Sequence, residues 1–61
     1  MEWTERLDIF EKYVGKKEKQ GWTVLDYYKD QAIFQKGQVF LKAEVDYDGS
    51  ILEKESKTRP R

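Results

Sequence analysis

VFLKAEVDYDG, residues 39–49, decides the class of fold. Val39, Leu41, Ala43, Val45 and Tyr47 alternate with Phe40, Lys42, Glu44 and Asp46. That two-residue period is the mark of a strand whose side chains point to opposite faces of a sheet. Asp48-Gly49 follows as a hairpin signal, because the tight turns that join antiparallel strands need positive φ. Two turn geometries fit, a two-residue type I′ turn or a three-residue loop with Gly49 in a bulge. They differ by one residue and so decide whether Ile51 or Leu52 faces the core.

Working outward, Trp22–Tyr28, Gln31–Lys36 and Ile51–Glu55 also read as strands. A two-residue turn at Lys36-Gly37 pairs Phe34 with Val39, Ala32 with Leu41 and Ile33 with Phe40. A similar turn at Lys29-Asp30 pairs Tyr27 with Ala32 and Leu25 with Phe34. Both turns sort the same residues onto one face. The core face then reads Leu25, Tyr27, Ala32, Phe34, Val39, Leu41, Ala43 and Val45. The opposite face reads Trp22, Val24, Asp26, Tyr28, Ile33 and Phe40, edged by Gln31, Gln35, Lys42, Glu44 and Asp46.

Before the strands the period changes to that of a helix, from about Thr4 to Lys19. Trp3, Leu7, Phe10 and Val14 fall on one stripe, widened by Ile9 and Tyr13. Thr4 is the expected N-cap. Glu5, Asp8 and Glu11 precede Lys12, Lys16, Lys17 and Lys19, an order that complements the helix dipole. Gly21 is the expected stop. Gly15 either ends or bends the helix or permits a close approach to the sheet. The predicted fold is α+β: one N-terminal amphipathic helix packed on a three- to four-stranded antiparallel β-meander. Residues 1–56 form the expected single domain, and 57–61 an expected disordered basic tail.

Sixty-one residues allow one small core, and a chain of this size buries only about 60% of its unfolded surface. The chain has no cysteine and no histidine, so it lacks thiolate ligands, disulfides and the commonest general base. Four scattered glycines make no phosphate loop. Asp46, Asp48 and Gly49 lack the remaining ligands of a calcium loop. These readings predict no enzymatic activity, no cofactor, no metal and no small-molecule substrate. Charged residues reach 39% but balance to zero, which gives no overall footprint for nucleic acid or membrane. No stretch approaches the roughly 18 apolar residues of a membrane span. The composition suits a cytoplasmic protein.

One helix covers one face of the sheet. The other face is left with Trp22, Val24, Tyr28, Ile33 and Phe40, an apolar patch with a polar rim, which marks an interaction surface. The reading is a protein–protein interaction module, a small accessory or inhibitor protein of phage or mobile-element type, with a homodimer as the first partner to expect. The alternative is a small nucleic-acid-binding regulator using Lys16, Lys17, Lys19, Lys57, Arg59 and Arg61. An acidic rim of Asp26, Glu44 and Asp46 against Lys42 disfavours it.

Overall fold

The computed structural model describes residues 3–59. Arg61 and Pro60 of the expected tail, and the side chain of Trp3 on the helix stripe, lie outside what is described. Helix α1 spans Trp3–Lys19. It is followed by β1 (Thr23–Tyr28), β2 (Gln31–Lys36), β3 (Val39–Val45) and β4 (Ile51–Ser56). All neighbours pair antiparallel in the order β1-β2-β3-β4, the expected α+β meander. Thr4 sits inside the first turn of α1 instead of capping it.

Gly15 does not end the helix, which continues to Lys19. A Cβ built there meets nothing within 4 Å, so no close approach explains it. Glycine in a helix interior is destabilising through its backbone freedom. Gly15→Ala is therefore expected to raise stability by about 0.5–1 kcal/mol and the melting temperature by about 3–6 °C. Thermal melting followed by circular dichroism checks this, and a lowered midpoint would contradict the open surroundings of Gly15.

The helix stops in a Schellman motif. Gly21 adopts φ 97°, its N–H donates to the Glu18 carbonyl (3.1 Å), and the Trp22 N–H donates to the Lys17 carbonyl (3.1 Å). This double closure satisfies carbonyls the helix end would leave unpaired. It also turns Trp22 back toward the helix side of the sheet.

That turn conflicts with the expected faces of β1. Tyr27 pairs with Ala32, as the Lys29-Asp30 turn requires, and so faces the helix. Trp22 also packs against the core. Residues 22 and 27 are an odd number apart and would lie on opposite faces of an unbroken strand. A bulge between Val24 and Asp26 reconciles them, with Leu25 as the extra residue. Val24, not Leu25, pairs with Phe34 and packs on the core. The expected placement of Trp22 and Val24 on the uncovered face is therefore wrong, as is that of Leu25 opposite Phe34.

The other turns are less disruptive. Lys36 pairs with Val39, so the β2–β3 turn is Gly37-Gln38, one residue later than expected. Gly37 has φ 62° and no described non-glycine residue has positive φ, which is the signature of a type II′ turn. The pairing shifts by two residues, so Ile33 meets Lys42 instead of Phe40 while every side chain keeps its face. In the last hairpin Gly49 has φ 88°, the Asp46 N–H donates to Ser50 O (2.8 Å) and the Gly49 N–H donates to Asp46 O (2.9 Å). This is the three-residue loop with a glycine bulge. It turns Ile51 toward the core and leaves Leu52 half-exposed on the other side.

The core lies between α1 and the sheet. Phe10 and Val14 of the helix are buried with Ala32, Phe34, Leu41, Ala43 and Val45. Small Ala32 and Ala43 lie opposite each other on β2 and β3, a pairing that leaves room for bulky helix side chains. The Phe10 ring stacks on Tyr13 (centroids 5.7 Å apart) and meets Tyr27 edge-on at 5.9 Å, while Tyr13 meets Phe34 edge-on at 6.1 Å. No helix among the described residues is long and apolar enough to cross a membrane.

Candidate functional site: the uncovered sheet face

The register fixes which side chains point away from the helix. They fall in three rows across the sheet. Thr23, Gln35, Phe40 and Ser56 make the first. Asp26, Ile33, Lys42 and Lys54 make the second, and Tyr28, Gln31, Glu44 and Leu52 the third. Asp26, Tyr28, Gln31, Ile33 and Lys42 line one shallow depression, and Lys42, Glu44, Leu52 and Lys54 line a neighbouring one. Among the described residues the face is thus a continuous, gently pitted surface.

Of the five side chains expected here, Tyr28, Ile33 and Phe40 are present. Tyr28 is 61% exposed, whereas Ile33 and Phe40 are half-buried by their lateral neighbours. Trp22 and Val24 are absent, for the reason given above. Four residues stand on this face beyond those expected, Thr23, Leu52, Lys54 and Ser56. Leu52 and Lys54 face outward because the Asp46–Ser50 loop takes its glycine-bulge form, and Asp48-Gly49 alone left that choice open. Their arrival changes the electrostatics. Lys54 sits directly opposite Lys42 and balances Asp26 and Glu44, so the face is mixed in charge instead of acidic. None of Asp26, Lys42, Glu44 or Lys54 forms an ion pair among the described residues.

The helix-end lysines have different surroundings. Lys17 is a packed residue, not a free cation: its Nζ pairs with Glu53 at 3.2 Å and lies 5.5 Å from the Tyr13 ring centroid and 5.9 Å from that of Trp22. Lys36 approaches the same indole (5.9 Å) and donates to the Gln20 carbonyl at 2.9 Å. Lys16 and Lys19 are exposed, as are Lys57 and Arg59 beyond β4. Antiparallel topology gathers Lys16, Lys19, Lys36, Lys57 and Arg59 at one end of the molecule, off the aromatic face.

Glu53 ties the helix to β4. It accepts the Tyr13 hydroxyl as well as Lys17. The Tyr13 hydrogen bond, reinforced by Lys17, holds the Glu53 carboxyl below its ordinary value of 4.5. Burial, with Glu53 adding to it, raises the Tyr13 phenol well above 10.0. A depressed carboxylate stabilises the fold above about pH 4.5, and that contribution is lost as pH falls through the depressed value. A raised phenol stabilises it below pH 10 and the contribution is lost as pH rises beyond. The gap in unfolding free energy between the parent and Tyr13→Phe is expected to be wider at pH 7 than at pH 3. Urea titrations at the two values measure it, and an equal gap would mean that the hydroxyl does not hold the carboxylate.

In comparisons with known proteins, no family model, curated protein sequence or solved structure matches this chain.

Proposed function

We propose that the chain is a non-enzymatic protein-interaction module, a small accessory or inhibitor protein of the cytoplasm. It docks a protein partner on the uncovered sheet face, with Tyr28, Ile33 and Phe40 at the centre and Leu52 beside them. The observation that carries this reading is the composition of that face. Apolar and aromatic side chains are interleaved with both signs of charge, and no described element of the chain covers them. Such a mixture of apolar centre and polar rim matches protein interfaces, and tyrosine is among the side chains that most often dominate their energy.

Nucleic acid is less favoured. Stacking on a sheet requires phosphate-neutralising groups around the aromatics. Here Lys42 and Lys54 stand on the face opposed by Asp26 and Glu44, and Lys17 is held by Glu53.

Phe40→Asp tests the reading. The variant is expected to melt cooperatively, with stability lowered by about 1–2 kcal/mol because the ring is half-buried, and to lose association with its protein partner. Unfolding of the variant would make the face part of the core. Retained association would place the interface elsewhere.

A further inference from the structure

We propose that the occupant of this face is a second copy of the same chain. It lies about a two-fold axis parallel to the strands, so that β1 of each copy covers β4 of the other. The inference rests on the reading of the face as a protein-interaction surface and names its partner. It comes from how the outward rows read when reversed.

The middle row runs Asp26, Ile33, Lys42, Lys54, negative at the β1 edge and positive at the β4 edge. Rotation about an axis along the strands lays this row on its own reverse. Asp26 then meets Lys54 of the second copy and Lys54 meets its Asp26, while Ile33 and Lys42 lie across each other, each lysine beside the second copy's Asp26. The row beside it reverses as well: Tyr28 falls on Leu52 and Gln31 on Glu44, apolar on apolar and amide on carboxylate. In the last row, hydroxyl-bearing Thr23 and Ser56 meet at both edges, and Phe40 covers Gln35.

The alternative two-fold axis, perpendicular to the strands, keeps each strand over its own copy. When centred on the middle row, it stacks Asp26 on Asp26, Lys42 on Lys42 and Lys54 on Lys54, three unfavourable like-charge contacts. Of the two fully overlapping face-to-face arrangements, the charge pattern therefore favours the first. It also answers a local problem. Lys42 and Lys54 are direct cross-strand partners, an unfavourable like-charge pair within one sheet, and neither has an acid of its own chain among the described residues. Asp26 of the second copy supplies one.

Four strands about 4.8 Å apart and some five residues long give a footprint of roughly 300 Å² per copy. The total is well below the roughly 1,000 Å² of a stable specific interface, so only weak, transient association is expected, at about 100 μM to 1 mM. Charge steering and register, more than area, define the dimer.

Sedimentation equilibrium of the full chain over that range tests the proposal, with the parent, Asp26→Lys, Lys54→Asp and an equimolar mixture of the two variants. The parent mass is expected to rise from the 7.4 kDa of one chain toward twice that. Each variant alone sets like charges at both symmetric contacts and is expected to weaken association at least about tenfold. Their mixture restores it, because the lysine introduced at position 26 meets the aspartate introduced at position 54, while the native Lys54 and Asp26 meet across the other contact. A parent that stays monomeric at 1 mM overturns the proposal, as does a dimer indifferent to either reversal or a mixture that fails to restore it. Each of those results leaves the face free for a different protein. Unfolding of Phe40→Asp instead removes the reading of the face itself.

Discussion

Phe34→Ala is expected to leave the chain unfolded at 25 °C. Phe34 has no exposed surface, lies between Val24 and Leu41 on neighbouring strands, and receives the Tyr13 ring edge-on. Truncating a buried phenylalanine costs about 3–5 kcal/mol, the lost transfer energy plus the cavity left behind. A 61-residue fold has in total only about 3–9 kcal/mol of stability, at roughly 0.05–0.15 kcal/mol per residue. With no cysteine to form a disulfide, the loss is comparable to the whole. Far-ultraviolet circular dichroism and a urea titration check it. A variant that still melts cooperatively near the parent temperature would mean that the core is not centred on this ring.

Trp22→Ala is expected to cost about 2–3 kcal/mol of folding stability, less than a fully buried tryptophan because the indole is only half-buried. The ring packs on the core from the position just after the Schellman closure, with Lys17 and Lys36 each 5.9 Å from its centroid. Its removal therefore loosens the helix end, the β1 start and the β2 end together. Lys17 and Lys36 lose a cation–π partner worth about 0.5–1 kcal/mol at exposed sites. Chemical denaturation gives the difference directly. A Trp22→Ala chain as stable as the parent would return the indole to the uncovered face.

That contrast between Trp22 and Phe40 shows where sequence reading reaches its limit. Periodicity distinguished one helix from four strands, because a change from 3.6 to 2 is visible in the residue pattern alone. Ile33 and Phe40 were assigned to the correct face even though the Gly37-Gln38 turn lies one residue later than expected, because moving a hairpin turn by one residue shifts the pairing by an even number. Trp22 and Val24 were misassigned because a bulge changes parity without a glycine or proline to announce it. Leu25 looks like any strand residue, and only the conflict between the helix stop and the Tyr27–Ala32 pair requires an extra one. The outward Leu52 and Lys54 depended on a choice between two legitimate turns. The glycine at position 49 permits both, and packing of Ile51 against the core separates them.

The strand order also bears on how the chain finds this structure. Each strand pairs with its sequence neighbour across a connection of only a few residues, so the sheet zips from local contacts. The contacts that seat the helix are the distant ones: Tyr13 reaches Glu53 across 40 positions and Arg6 reaches the Val45 carbonyl across 39. Loop-closure entropy grows with the length enclosed, and folding slows as contacts become less local. The meander is thus expected to form first, with helix docking onto β3 and β4 as the step of highest loop-closure cost. Until it docks, both faces of the sheet are open to solvent, and the chain is most exposed to sticking to other copies in the wrong register.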